Sequence, residues 1–180
     1  MKITSLFSTP EREKIIGHLL RHPSEKINMN AISRKLSVSV GQVHKYVSIL
    51  RKEKLVIADR LQDSPITRAL RVLWNLDEIE SAGLTGIITK ELPNAKGIGI
   101  YGSWASGANM EDADIDVWIK LGKEPSDLKV AGVRKKLERA LGVPVDIAII
   151  TPERLEHFME KSDSFYFSLY HGIILWGEEI

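Results

Sequence analysis

Between Ala95 and Ile150 the apolar period of the chain switches from strand to helix and back, and this order of periods constrains the fold more than any other feature. KGIGIY, between Pro93 and Gly102, is a short apolar run suited to a buried strand. After the turn GSWASG and the polar ANMEDA comes DIDVWIKL, where Ile115, Val117 and Ile119 alternate with Asp114, Asp116 and Trp118. SDLKVAGVRKKLERAL then sets Leu128, Val133, Leu137 and Leu141 along one helical face. ALGVPVDIAII closes the series as an apolar strand whose lone charge is Asp146. Strands interleaved with an amphipathic helix in this way predict an α+β unit.

The same stretch carries the chemistry. Strand alternation puts Asp114 and Asp116 on one face with carboxylates about 7 Å apart or less. Two carboxylates that close repel each other, and a divalent cation between them removes the repulsion. Hard oxygen ligands suit Mg²⁺ or Mn²⁺, which keep water and bind substrate phosphates. Gly102-Ser103 ends the preceding strand with backbone N–H groups and a hydroxyl, and glycine permits the close approach a phosphate needs. Asp146 needs a partner if it is buried. A cation shared with Asp114 and Asp116 provides one; an exposed edge position or a lysine is the other solution.

The front of the chain has a different pattern. Thr9 and Pro10 open a helix bearing Ile15, Ile16, Leu19 and Leu20, with Pro23 as its stop. Asn30 is the expected cap of a second helix with Ile32 and Leu36. Ser37 and Val38 form a tight turn, and Ser39 caps a third helix with Val43, Val47 and Leu50 inward. LVIADRL, a turn at QDSP and ITRALRVLWNL predict a hairpin with Arg60 and Arg68 near its tip. Residues 10–76 in this order resemble the winged helix-turn-helix domains of prokaryotic transcription regulators. The resemblance implies a DNA-reading third helix and hairpin, through Ser39, Gln42, His44, Lys45, Ser48, Lys52, Arg60 and Arg68. LDEIESAGLTGIITKELP reads as one further helix with Leu84, Ile87, Ile88 and Leu92 on a face. It opens a second domain, giving expected bounds of 1–76 and 77–180.

Charge agrees with two partners of different kind. Residues 1–85 carry 14 Lys/Arg against 9 Asp/Glu, whereas residues 86–180 carry 11 against 15. A basic front half suits a polyanion and an acidic back half suits cations. The chain has no cysteine, which excludes a disulfide framework and thiolate zinc sites. MKITSLFSTPEREK lacks the apolar region of a targeting signal, and no apolar run approaches ~20 residues. A cytoplasmic protein without membrane contact is the expectation.

Gly102-Ser103, ten intervening residues and Asp114-Ile115-Asp116 together resemble the Gly-Ser-x10-Asp-x-Asp signature of DNA polymerase β-like nucleotidyltransferases, above all the prokaryotic minimal nucleotidyltransferases. Ala105 and Gly107, the strand with Asp146 and the closing GIILWG fit the same order, and the resemblance covers roughly residues 78–180. It implies a mixed β-sheet with helices for this α+β unit, and ATP or another NTP held by Gly102, Ser103 and Ser106. It also implies Mg²⁺ or Mn²⁺ on Asp114, Asp116 and Asp146, with Asp146 placed to take the acceptor's proton. Two metals about 3.5–4 Å apart stabilise attacking and leaving oxygens together. The chain departs from the family pattern at Ser106, where Arg or Lys is usual, and at Ala113, where Ser is usual.

The reading that follows is a winged helix fused to a metal-dependent nucleotidyltransferase that moves AMP from ATP to a hydroxyl. The acceptor class includes the partner toxin of a toxin–antitoxin pair or another protein, and a homodimer is in keeping with the winged helix. Two rivals stand beside it. One is a DNA-binding regulator whose back domain only senses nucleotide. The other makes the front domain an acceptor-docking module with no DNA role. His18 and His22 have zinc spacing but no third ligand nearby in sequence. The aromatic FYFSLYHGIILW reads as core.

Overall fold

The computed structural model describes residues 6–160 and 164–180. Residues 1–5, the start of the segment read above for a targeting signal, lie outside the described residues. The chain divides into two compact units, Met1–Trp74 and Asn75–Ile180.

In the first unit, helix α1 spans Pro10–Arg21, capped by Thr9, whose hydroxyl accepts from the Arg12 amide at 3.4 Å. Asn28 rather than Asn30 caps helix α2 (Met29–Leu36), accepting from the Ala31 amide at 3.0 Å. Both asparagines are chemically able caps, and the one a position before the helix is the one used. Ser37 turns the chain in the left-handed region (φ 54°). Helix α3 (Val40–Lys52) then starts on a capping box in which Ser39 and Gln42 bond each other's backbone N–H. The expected apolar faces are buried: Ile15, Ile16, Leu19, Leu20, Ile32, Val43, Val47 and Leu50 form one core. Each fully buried aliphatic of this kind stabilises by ~1.5–3 kcal/mol. Tyr46 joins them, with its hydroxyl donating to the Leu6 carbonyl at 2.8 Å.

The expected hairpin is where sequence and structure part. Its turn lies inside LVIADRL: strands β1 (Val56–Ile57) and β2 (Arg60–Leu61) meet across Ala58 and Asp59, both at positive φ. ITRALRVLWNL is no strand but the body of helix α4 (Pro65–Ser81). Ser64 and Thr67 form a reciprocal cap at its start, at 2.9 and 3.3 Å, and Pro65 fills the first helical position. The buried positions Thr67, Leu70, Arg71, Asn75 and Ile79 recur at helical spacing, which outweighs the β-branched and aromatic content. The predicted single helix over LDEIESAGLTGIITKELP is divided at Gly83, which lies at φ 68° between α4 and helix α5 (Leu84–Glu91).

The second unit is built on strands β3 (Ala95–Tyr101), β4 (Ile115–Leu121), β5 (Val145–Ile150) and β6 (Ile173–Gly177), in spatial order β5-β4-β3-β6. β4 and β5 run parallel and the other pairs antiparallel, giving the expected mixed sheet. Five residues at the end of β3 form a short helix α6 (Gly102–Ser106), where a turn was expected. Helix α7 (Asp127–Leu141) is the crossover between β4 and β5. It buries Val133 and Leu137, whereas Leu128, placed on the inward face by sequence, is 86% exposed in the first turn. On one sheet face Ile98, Ile100, Ile115, Val117, Ile119, Ile147 and Ile149 pack with α5 and α7 residues. On the other, Trp118 and Ile150 pack with Leu169 and Phe165 of helix α9 (Ser164–Tyr170) and Phe158 of helix α8 (Pro152–Glu160). The aromatic tail is thus split: Phe165 lies in this cluster, while Phe167, Tyr170 and Trp176 are exposed. No helix among the described residues is long and apolar enough to cross a membrane.

Candidate active site

The site forms where β3 ends beside the start of β4. Tyr101 is in register with Asp116 on β4, and Asp116 is in register with Asp146 on β5. Adjacent strands lie ~4.8 Å apart, so the parallel pairing sets Asp116 and Asp146 side by side on one face. Gly102 follows Tyr101 at φ 67°, and a Cβ there would collide with the Asp116 carboxylate. The glycine is therefore what lets the backbone of the Gly-Ser turn close on Asp116, as well as what permits the left-handed conformation.

The electrostatics report the same grouping. Burial, and then the charges of Asp114 and Asp146, push the Asp116 carboxyl up to about 6. The Tyr101 hydroxyl is likewise raised, by burial first and then by Asp116, Asp146 and Asp114. Asp114 is exposed just before β4 and Ser103 is half-buried in α6. Ser106, also exposed, turns its hydroxyl back to donate to the Gly102 and Ser103 carbonyls at 3.0 and 3.2 Å.

Asp146 is exposed, and its Oδ1 accepts from Nη2 of Arg134 on α7 at 3.3 Å. Burial therefore makes no demand for a partner here, and an arginine stands beside Asp146 where a lysine was the expected alternative. Chemically the three carboxylates fit a hard divalent cation. Yet among the described residues no group of three or more His, Cys, Asp or Glu side chains stands ready to hold a metal ion.

Three residues that the sequence reading passed over hold the 102–113 segment. Asn75, buried in α4, donates to the Trp104 carbonyl at 2.9 Å and to Asn109 Oδ1 at 3.0 Å, and Asn109 donates back at 3.4 Å. Trp104 closes the segment by donating its indole N–H to the Ala113 carbonyl at 3.3 Å. Asn75 and Asn109 are 34 residues apart, and no local pattern connects them. An uncharged amide amid apolar neighbours at 75 and 109 was the available signal.

The candidate nucleic-acid residues divide into two sets. His44, Lys45, Ser48 and Lys52 are exposed on α3, while Ser39 and Gln42 spend their side chains on the capping box. Arg60 lies on β2 and donates to the Ser24 carbonyl. Arg68 is not at a hairpin tip: it sits in the first turn of α4, bidentate to Asp63 at 2.7 and 2.6 Å. The reason is the helix that replaces the second strand. The His18 and His22 rings lie 4.6 Å apart, tilted by 55°, with Glu25 nearby, outside any metal-holding group among the described residues.

The family model of the nucleotidyltransferase domain matches residues 86–170. The protein adenylyltransferase MntA of Thermococcus cleftensis is 38% identical over 83 residues, which cover 43% of this chain and 79% of that relative. The chain belongs to the nucleotidyltransferase family. Its second unit carries the match, and the Gly-Ser turn, Asp114, Asp116 and Asp146 of this nucleotidyltransferase all lie within it. Among solved structures, a toxin–antitoxin with AMP-PNP aligns at TM-score 0.43 and 19% identity, over 58% of the nucleotidyltransferase and 74% of that chain. A tri-AMPylated Shewanella oneidensis HEPN toxin in complex with MNT antitoxin aligns at TM-score 0.39 and 19% identity, over 59% and 73%.

Proposed function

We propose that this nucleotidyltransferase transfers AMP from ATP to a hydroxyl of a protein, and that the transfer depends on Mg²⁺ or Mn²⁺. The observation that carries the reading is the Gly102 backbone closed against Asp116, with Asp146 in register beside it. The protein acceptor is supported by the protein adenylyltransferase named among its relatives. In this reading Gly102 and Ser103 hold the β- and γ-phosphates. Asp114, Asp116 and Asp146 hold the cation, which when bound neutralises charge on the phosphates. The acceptor oxygen forms a bond to the α-phosphorus, the bond from that phosphorus to the bridging oxygen breaks, and pyrophosphate leaves. The acceptor's proton passes to a carboxylate of the cluster, with Asp146 the candidate by position. A partner toxin is one such acceptor, and the cytoplasm is the compartment that supplies ATP.

The test uses the full chain with α-labelled ATP, Mg²⁺ and a cell lysate. Label is expected on a protein band with wild type and not with Asp114→Ala/Asp116→Ala. Calorimetry on the same pair should show Mg²⁺-dependent ATP binding by wild type alone. ATP binding without transfer would favour the nucleotide-sensing regulator, to which the Ser106 and Ala113 departures lend weight. No ATP binding by wild type would sink the catalytic reading.

We further propose that the first unit is a winged helix-turn-helix that binds DNA through α3. What supports this is the exposed set His44, Lys45, Ser48 and Lys52 after a Ser-capped turn, in the basic half of the chain. Phosphate contacts make such binding fall steeply with salt. A mobility shift that is absent, or indifferent to salt, would leave acceptor docking as the role of this unit.

A further inference from the structure

We infer that Arg134 is a positioning residue for the site: it competes with the divalent cation for Asp146. This rests on the reading of Asp114, Asp116 and Asp146 as cation ligands. Asp116 and Asp146 are register partners on β4 and β5, so the backbone alone sets their Cβ atoms side by side. Even so, no three-carboxylate group capable of holding a metal forms among the described residues. The Asp146 carboxylate is engaged elsewhere, by Arg134 Nη2 at 3.3 Å.

β5 is an edge strand among the described strands, and α7 packs Val133 and Leu137 onto the face that carries Ile147 and Ile149. Alternation places Asp146, with Asp116, on the opposite face. Arg134 on α7 nevertheless meets Asp146, and the carboxylate oxygen it binds is one a cation shared with Asp116 would need. Among the described residues, Arg134 is the one cation ion-paired to any of the three aspartates. Both partners are partly exposed, at 43% and 57%, so the pair is of the weak, solvent-screened kind that a divalent cation can displace. Arg134 sets how much cation is needed to assemble the third ligand.

The experiment is a double-mutant cycle read by Mn²⁺ binding, using the spin-resonance signal of free Mn²⁺, on wild type, Arg134→Gln, Asp146→Asn and the double variant. Arg134→Gln should tighten Mn²⁺ about two- to fivefold, the range equivalent to one exposed ion pair. That gain should vanish when Asp146 is already asparagine. An equal gain in both backgrounds would reduce Arg134 to a through-space repulsive charge and overturn the competition, as would no gain or a loss. If wild type itself binds no Mn²⁺, the metal reading falls and the competition falls with it, an outcome distinct from wild-type binding that Arg134→Gln leaves unchanged. Arg134→Met, which keeps the aliphatic stem, carries the same cycle if glutamine is not tolerated at this position.

Discussion

A single absent side chain holds the two halves of the signature together. Gly102 gives up a Cβ so that the turn can rest on the Asp116 carboxylate. Gly102→Ala should cost ~1–2 kcal/mol for the left-handed backbone. By shifting Asp116 it should lower kcat/KM for ATP by about 100-fold. Gly86→Ala in α5, where a Cβ meets nothing, should leave activity unchanged and serves as the control in the same steady-state assay. Asp116 adds a pH signature. Its folded value of about 6 lies above the ordinary 3.8, so the ionised carboxylate costs stability above pH ~6 and nothing below pH ~4. Asp116→Asn should abolish transfer yet raise stability by about 1 kcal/mol at pH 7, allowing for solvent screening. Urea titrations should show that gain shrinking as pH falls through 6. A gain that persists at pH 4 would contradict the burial account. This motif was fully legible in sequence, because spacing and alternation are local. The role of Gly102 against Asp116 was only half so, since which atom fills the vacated volume depends on strand register.

At the scale of elements, the helix between β4 and β5 and the caps Thr9 and Ser39 follow from short local rules. The mixed sheet was legible only through the family resemblance, because strand direction is not a local property. The sequence reading misplaced α4. A turn-like QDSP ahead of a run rich in Ile, Val, Leu and Trp invited a strand, but Ser64-Pro65 with Thr67 is equally a helix start, and the 3.6-residue period of buried positions decides. That misreading also put Arg68 on a hairpin that does not contain it. The buried amide pair was out of reach because Asn75 and Asn109 meet only after α4 and α6 are in place. Asn75→Ala removes the side-chain donor to the Trp104 carbonyl and its bonds with Asn109, at a cost of about 1–3 kcal/mol. Thermal melts should register that loss. The KM for ATP should rise as well, since the 102–113 segment loses its tether. An unchanged KM would reduce the pair to a purely structural bond.

At the scale of the whole molecule, two separate cores should answer differently to acid. His18 in the first unit is 8% exposed, and burial, then His22 and Lys35, depress it to about 4. Its folded value lies below the unfolded 6.5, so stability is full above pH ~6.5 and is lost as pH falls towards 4. The loss is on the order of 2–3 kcal/mol. Hydrogen exchange followed by peptide mass should show residues around α1 and α2 losing protection between pH 6.5 and 4.5. His18→Leu should flatten that slope, and a slope unchanged by the substitution would assign the acid response to other groups.

The place of Trp118 on the α8 and α9 face of the sheet has a further consequence. A Cβ at Gly99 would collide with the Trp118 ring of β4 and equally with the Ile173 backbone carbonyl of β6, so both neighbours of β3 require bare backbone there. In inheritance position 99 is pinned twice, by an indole on one neighbouring strand and by backbone on the other. A descendant that gains a side chain at 99 and surrenders the indole at 118 still meets the backbone of β6, so any lineage carrying a side chain at 99 must have respaced its sheet as well.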